Sequence, residues 1–94
     1  KRGSIPLGTA KFMVFYVYML KCITPNVVKS YVGYTNNISL RLKKHNQGKG
    51  AKSTRGLKWK IIYKKKFNSK SQALSYEYRL KKDKIKRKYL INKN

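Results

Sequence analysis

The sequence predicts a small α/β domain of the α+β type, with three strands and three helices around a single core. Its length of 94 residues leaves room for one domain. Apolar residues make up 40% of the chain, which is enough to form a core despite the high charge. Runs rich in Val, Ile, Tyr and Phe alternate with segments that begin at helix-capping residues, so we expect strands and helices to share one fold.

The first structured segment is predicted to be a β-hairpin. Residues 14–23 are almost continuously apolar and rich in Tyr and Val, which is typical of a strand. Pro25 and Asn26 indicate a turn, and residues 31–34 continue as a second strand.

A helix and a basic loop are expected after the hairpin. Asn36 or Asn37 is placed to cap a helix that runs to about Asn46, and Gly48 is expected to end it. Residues 48–56 are rich in glycine, lysine and arginine, so they predict a loop rather than a regular element.

The last part of the chain predicts one strand and two helices. Residues 59–67 are rich in Trp, Ile, Tyr and Phe, as a third strand would be. Ser69 and Gln72 have the spacing of a capping box, which predicts a helix over about residues 70–82. Asp83 is placed to cap a short third helix.

We expect a single domain over residues 13–94, because no internal repeat or second domain is visible. Residues 1–12 show no clear periodicity, whereas Met13 directly precedes the first strong strand. We therefore expect Met13 to be the natural start and residues 1–12 to be an added or disordered leader.

The charge of the chain points to an anionic partner. There are 25 Lys and Arg residues against two acids, Glu77 and Asp83, which gives a formal net charge of +23. Such a chain repels itself unless nucleic acid, an anionic membrane or an acidic protein is near. Nucleic acid is favoured because the basic residues interleave with tyrosines in a folded pattern. An AT-rich genome would raise the lysine count, but it would not explain so few acids.

Cysteine and histidine each occur once in the chain, and this excludes several kinds of metal and disulfide site. Cys22 is the only cysteine, so neither a disulfide framework nor a thiolate zinc site can form, and a reducing cytoplasm fits. His45 is the only histidine, which excludes a multi-histidine metal site.

Glu77 is an acid on an apolar helix face. Ala73, Tyr76 and Leu80 form the apolar stripe of the predicted second helix, and the spacing of Glu77 turns it toward that stripe. Burial of a carboxylate is costly. Helix geometry alone favours a structural ion pair with a lysine. The alternative is a ligand for Mg²⁺ or Mn²⁺, which prefer hard oxygen donors.

For the other candidate site residues, an ordinary structural role is also an alternative to a functional one. Tyr16 and Tyr18 share one strand face, where tyrosines are usually core or surface filler. Gly33 within a strand suggests a bulge or a close backbone approach. Arg41 and His45 lie four apart on a helix, either as an exposed pair or with Arg41 as a phosphate clamp.

In their order and spacing, these motifs resemble the GIY-YIG nuclease family, and within it the single-domain bacterial UPF0213 branch. The resemblance extends over roughly residues 14–91, and the phrases at residues 18–22, 45–52 and 54–56 resemble that branch in particular. The residues that carry the family pattern are Tyr16-Val17-Tyr18, Tyr31-Val32-Gly33, Arg41, His45 and Glu77.

The resemblance implies a three-stranded antiparallel sheet flanked by helices, the GIY-YIG nuclease fold, and a set of catalytic residues. Tyr18 and Tyr31 match the tyrosines of the two motifs, and the second is expected to act as general base or to position the attacking water. Arg41 matches the phosphate-binding arginine, and His45 matches a residue that polarises or relays a proton. Glu77 matches the sole protein ligand of a single Mg²⁺ or Mn²⁺ ion.

The chain also departs from the family pattern. Tyr16 stands where the first motif has glycine, although this branch often lacks that glycine. Many members have a late asparagine that contacts phosphate; here the nearest candidates are Lys88 and Asn92, and neither aligns clearly.

The basic loop is the expected DNA contact. Glycines allow the backbone to approach phosphate, and Lys49, Lys52 and Arg55 supply charge, with Lys88 as a further contact. The alternative is a flexible, solvated linker.

Together these features predict a divalent-metal-dependent DNA endonuclease with little sequence specificity, in DNA repair or recombination, acting on branched or single-stranded DNA. We expect a monomer in the cytoplasm, associated with the nucleoid if the source is bacterial. The main alternative is a non-catalytic basic nucleic-acid-binding protein that retains the nuclease fold. Membrane association is weaker, since the predicted helices carry lysine on most faces.

Overall fold

A computed structural model describes residues 14–94 of the chain. The expectations for residues 1–12 and for Met13 as the start lie outside the described residues. Between residues 14 and 94, three strands and three α-helices follow one another in the predicted order. Their bounds are β1 Phe15–Cys22, β2 Ser30–Thr35, α1 Ile38–Asn46, β3 Trp59–Phe67, α2 Lys70–Lys82 and α3 Lys84–Lys93.

The three strands form one antiparallel sheet in the order β2-β1-β3, so the α+β class and the antiparallel sheet are confirmed. The first strand lies at the centre and pairs on both sides. Helices cover both faces of the sheet, and residues 17–20 of the central strand are therefore almost fully buried. Its nearly continuous apolar sequence follows from burial on both faces.

Alternation along the central strand divides the core into two layers. Val17 and Met19 face α2 and α3 and pack against Ala73, Leu80 and Leu90. On the opposite face, a second layer packs beneath α1 and the segment before β3. Its members are Tyr18, Leu20, Cys22 and Trp59, with Tyr31 and Leu42 at its border.

The helix ends confirm the predicted capping residues. The side chain of Asn37 accepts a hydrogen bond from the backbone N–H of Leu40, and Ser69 does the same for Gln72. Asp83 accepts from the N–H of Lys86 and begins α3. Each cap satisfies a backbone N–H that the first helical turn leaves without a partner.

The predicted basic loop contains one short element that the sequence pattern did not indicate. Gly48 adopts a φ of 78° directly after the first helix, which glycine tolerates without steric cost. A single 3₁₀ turn then spans Lys52–Thr54 before the chain enters β3. Among the helices of residues 14–94, none is both long and apolar enough to cross a membrane.

We predict that Leu80→Ala lowers the free energy of unfolding by about 2–5 kcal/mol, because Leu80 is 2% exposed in the layer beneath α2. The matched control is Leu74→Ala, the same substitution on the same helix at a residue that is 39% exposed. Urea denaturation followed by Trp59 fluorescence measures both variants. Equal losses in the two variants would contradict this placement of the core.

Candidate active site

The centre of the candidate site is Tyr18, which lies directly opposite Gly33 in the pairing of β1 with β2. A Cβ atom at Gly33 would lie 2.6 Å from the Tyr18 hydroxyl oxygen and 2.8 Å from the Tyr31 ring. No other residue fits there without displacing one of the two tyrosines. Glycine within this strand therefore marks a close approach of side chains to the backbone, as predicted.

The first helix places Arg41 and His45 over these tyrosines. The two residues are one turn apart, so their side chains leave the helix on the same side. The Nε atom of Arg41 donates to the Tyr18 hydroxyl at 3.4 Å, and Nε2 of His45 lies 2.9 Å from the same oxygen. The ring centroids of Tyr31 and His45 are 4.9 Å apart. The structure thus brings four of the five predicted catalytic residues into one cluster.

Burial has the largest effect on the pKa of the Tyr18 phenol. It raises the pKa of Tyr18 to about 12, against a smaller opposing effect of the Arg41 hydrogen bond. The hydrogen bond to Tyr18 is also the largest cause that raises the pKa of Arg41 above its ordinary value. At neutral pH, Tyr18 therefore keeps its proton and Arg41 keeps its charge.

His45 is fully buried and neutral. Its side chain has 0% exposure. Burial first, and then the positive charge of Arg41, lowers the pKa of His45 to about 4. A buried imidazole with no access to solvent cannot exchange protons directly with bulk water, so its geometry fits the fixing of Tyr18 better than direct contact with substrate.

The far side of the His45 ring contacts the basic loop. Its Nδ1 atom lies 2.8 Å from the Thr54 hydroxyl, which in turn donates to the Ala51 carbonyl at 2.8 Å. A Cβ atom at Gly50 would lie 2.9 Å from two carbons of the His45 ring, so the loop backbone itself packs against the imidazole.

Thr54 and Gly50 were absent from the site predicted from sequence. The predicted loop included both residues, but no periodicity relates Thr54 to a histidine nine positions earlier. No signal in the sequence identified Thr54, because the burial of a loop residue depends on contacts with distant segments. Trp59 adds a second anchor, because its indole N–H donates to the Thr54 carbonyl at 3.0 Å.

Glu77 lies on α2, outside the hydrogen-bonded cluster. Its side chain is 15% exposed, which agrees with the predicted orientation toward the apolar face. Its carboxylate lies 3.4 Å from the Lys81 ammonium, one turn away. The same negative charge makes a small contribution to the raised pKa of Tyr18, so Glu77 acts electrostatically on the cluster.

The donor set for a metal is sparse within residues 14–94. No group of three or more His, Cys, Asp or Glu side chains lies together there. The family resemblance points to the Glu77 carboxylate as the single side chain that could hold a metal here. That arrangement fits Mg²⁺, which retains several waters and commonly binds through one or two carboxylates and substrate phosphates.

The predicted DNA-contacting residues fall on two different parts of the molecule. Lys49, Lys52 and Arg55 are exposed on the loop that packs against His45. Lys88 is exposed on α3, which packs on the opposite face of the sheet. Asn92, the other candidate for the late phosphate contact, is also exposed on α3.

Comparison with known proteins assigns the class. A model of the GIY-YIG catalytic domain matches residues 14–90, and the chain therefore belongs to the GIY-YIG family, a family of nucleases. Within the family, the chain is similar to proteins of the UPF0213 group. It is 49% identical over 67 residues to a UPF0213 protein of Oceanobacillus iheyensis, a match that spans 70% of this chain and 74% of that protein.

Two further relatives belong to the same group. A UPF0213 protein of Bacillus licheniformis is 46% identical over 81 residues, spanning 83% of this chain and 80% of the relative. The solution NMR structure of a UPF0213 protein from Bacillus halodurans aligns with a TM-score of 0.49 at 36% identity, covering 86% of this chain and 84% of that one.

We predict that the folded protein loses stability as the pH falls from 6.5 to 4. Over this interval the unfolded chain binds a proton at His45, whereas the native chain, with its pKa of about 4, does not. The loss between pH 7 and pH 5 should be about 2 kcal/mol. Urea denaturation at each pH measures it, and NMR titration of the single histidine gives the midpoint directly. A native midpoint near 6.5 would contradict the burial of the ring.

Proposed function

We propose that the protein is a divalent-metal-dependent endonuclease that hydrolyses DNA phosphodiester bonds with little sequence specificity. The observation that carries this proposal is the cluster itself. Arg41 is held beside Tyr18 and Tyr31 at the position where the family pattern has a phosphate-binding arginine. In a nuclease domain, this arrangement provides a cation and a phenol close enough together to act on the same phosphodiester.

Arg41 is suited to bind the scissile phosphate. Its Nε–H is occupied by Tyr18, which fixes the plane of the guanidinium and leaves other N–H groups for an anion. Arg41 also borders a surface cavity of about 260 Å³, so a ligand can reach it from solvent. Because its charge lies beside a reacting phosphate, it would stabilise the negative charge that develops in the transition state.

Tyr31 is the tyrosine that is suited to the attacking water. Tyr18 is 1% exposed and hydrogen-bonded on both sides, whereas Tyr31 is only partly buried. Tyr31 therefore orients or deprotonates the water, and Tyr18 with His45 holds the surrounding groups in place. Water must approach the phosphorus from a position within hydrogen-bond reach of such a group.

Glu77 would hold the Mg²⁺ or Mn²⁺ ion, with waters and a DNA phosphate completing its coordination. When bound, such an ion supplies Lewis-acid stabilisation of the phosphoryl oxygens. The existing partner of Glu77 is easily replaced, because an i,i+4 pair with a lysine that is 54% exposed stabilises a helix by only about 0.3–0.5 kcal/mol.

DNA is the proposed substrate because both the positive net charge and membership of a nuclease family favour it. The net charge of +23 favours a polyanion, and the exposed basic residues of the loop lie next to the cluster. Among residues 14–94, no additional module is present to read bases in a groove, and this supports the proposed low sequence specificity. Branched or single-stranded DNA, and a place in repair or recombination, belong to the same proposal.

One observation favours a second candidate function. The Glu77–Lys81 ion pair is the structural role that helix geometry suggested for this acid. If that is its only role, the protein is a basic nucleic-acid-binding protein that retains the nuclease fold without the metal chemistry.

We predict that Glu77→Gln abolishes plasmid nicking in Mg²⁺ or Mn²⁺, with a loss of roughly 100-fold or more. Glutamine keeps the size of the side chain and removes the charge that a metal requires. Affinity for DNA should be retained, because a negative charge near the DNA is removed. The matched control is Lys81→Ala, which breaks the ion pair, keeps the carboxylate and should still nick.

Two outcomes separate the candidate functions. Full nicking by Glu77→Gln would overturn the metal assignment. Absence of nicking by the wild-type protein with every divalent metal tested would favour the binding protein. A crystal soaked in Mn²⁺ gives a readout that is independent of activity, since an anomalous peak beside Glu77 is expected in the wild type and absent in Glu77→Gln.

We also predict that the basic loop determines the salt dependence of DNA binding. If Lys49, Lys52 and Arg55 each neutralise one phosphate, their joint replacement by alanine should reduce the slope of log K against log salt by about 2.7, at about 0.9 per phosphate. Fluorescence anisotropy over a salt series measures this slope.

The control for this series removes the same charge from elsewhere. Three exposed lysines of α2 and α3 serve this purpose: Lys70, Lys84 and Lys93. Their replacement should change the slope by less than about 1. The single variant Lys88→Ala then tests whether α3 also contacts DNA. Equal slopes for the two triple variants would show that the loop has no special part in binding.

A further inference from the structure

We propose that Thr54 is a positioning residue that sets the tautomer and orientation of His45, and through it the Tyr18 hydroxyl and Arg41. The proposal deepens the proposed nuclease function and rests on it for its effect on cutting. Its structural part, the direction of a hydrogen-bond chain from the basic loop to Arg41, stands independently of any activity.

The chain of hydrogen bonds has two ends whose roles are fixed by chemistry. It runs from Arg41 Nε to the Tyr18 hydroxyl at 3.4 Å, and from there to His45 Nε2 at 2.9 Å. It continues from His45 Nδ1 to the Thr54 hydroxyl at 2.8 Å and ends at the Ala51 carbonyl after a further 2.8 Å. A guanidinium N–H can only donate, and a carbonyl oxygen can only accept.

These two ends determine every proton between them. The single hydroxyl proton of Thr54 is donated to Ala51, so the Thr54 oxygen accepts the Nδ1–H of His45. The Nε2 atom of a neutral His45 then carries a lone pair and accepts the hydroxyl proton of Tyr18. The Tyr18 oxygen remains free to accept from Arg41, which agrees with the requirement at the other end.

Loss of the Thr54 hydroxyl would disturb both hydrogen bonds of the Tyr18 hydroxyl, one with His45 and one with Arg41. Without an acceptor at Nδ1, the His45 proton is stabilised at Nε2 instead, where it would donate to the Tyr18 oxygen. The Tyr18 oxygen would then accept from both Arg41 and His45, and the Tyr18 proton would have no acceptor within this chain. Because a buried hydroxyl without an acceptor is unfavourable, the guanidinium would lose its fixed orientation.

The position of Thr54 is itself well determined. Its side chain has 0% exposure, and its carbonyl accepts from the Trp59 indole. Asn46, which follows His45, accepts from the Trp59 backbone N–H at 2.7 Å. The Lys52–Thr54 turn is therefore held to the end of the first helix from two directions. The turn begins with the exposed Lys52 and is followed by the exposed Arg55.

The consequence is a direct physical link between the DNA-contacting loop and the reaction centre. Any displacement of the Lys52–Thr54 turn by DNA changes the acceptor available to His45. Misplacement of a phosphate-binding group by about 1 Å can reduce a catalysed rate about 100-fold. The structure therefore assigns Thr54 to the positioning of the catalytic groups, although it has no contact with the substrate.

The test compares Thr54→Val, which keeps the shape and removes the hydroxyl, with Thr54→Ser, which keeps the hydroxyl. Long-range ¹H–¹⁵N NMR reports the tautomer without ambiguity, because His45 is the only histidine. The wild type and Thr54→Ser should carry the proton on Nδ1, whereas Thr54→Val should shift it to Nε2. Ser53→Ala is the matched control, since it removes an exposed hydroxyl from the same turn.

The activity measurement uses the same four proteins. Thr54→Val should lower the kcat for nicking by about 10- to 100-fold with a smaller change in KM, and Thr54→Ser should recover most of the rate. An Nε2–H tautomer in the wild type would overturn the proposal even if Thr54→Val does not fold. An unchanged tautomer or an unchanged rate in folded Thr54→Val would also overturn it. Failure of the wild type to nick, with the predicted tautomer present, would count against the nuclease function alone.

Discussion

The structure depends on one constraint, the burial of the Tyr18 hydroxyl at the centre of the sheet. A buried hydroxyl without a partner costs about 1–3 kcal/mol, so the fold must supply hydrogen bonds at this point. The first helix supplies them from Arg41 and His45. His45, once buried, needs a partner of its own, and the basic loop provides it through Thr54. The requirement to satisfy one phenol thus positions a helix and a loop.

The same constraint divides the residues that match the family pattern into two physical groups. Tyr18 and His45 are almost fully buried and have their hydrogen-bonding capacity occupied within the protein. Tyr31 and Arg41 retain partial access to solvent, and Glu77 is partly exposed on α2. The buried residues have partners only within the protein, and the accessible residues are those for which we propose contacts with a phosphate, a water and a metal. This division follows from burial, which the motif spacing alone does not contain.

Charge imposes a second condition on the molecule. With two acids in the whole chain, few of its 25 basic residues can be neutralised internally. Salt screens part of the repulsion among them, and binding of a polyanion would relieve more of it, so the charge favours a partner such as DNA. The placement of Glu77 at the edge of the cluster is the exception. Its single carboxylate is 15% exposed and is the group that we propose as the metal ligand.

The sequence by itself determined the strands, the helices and their caps, because apolar runs and capping residues act over a few neighbouring positions. The net charge of +23 indicated a polyanionic partner, and the order of Tyr18, Tyr31, Arg41, His45 and Glu77 indicated the nuclease family. Only the tertiary structure decided that His45 is sealed from solvent, that Gly33 leaves room for two rings, and that Thr54 completes the cluster. Those properties depend on contacts between segments that are distant in sequence, and no local pattern encodes which side chain a loop threonine will meet.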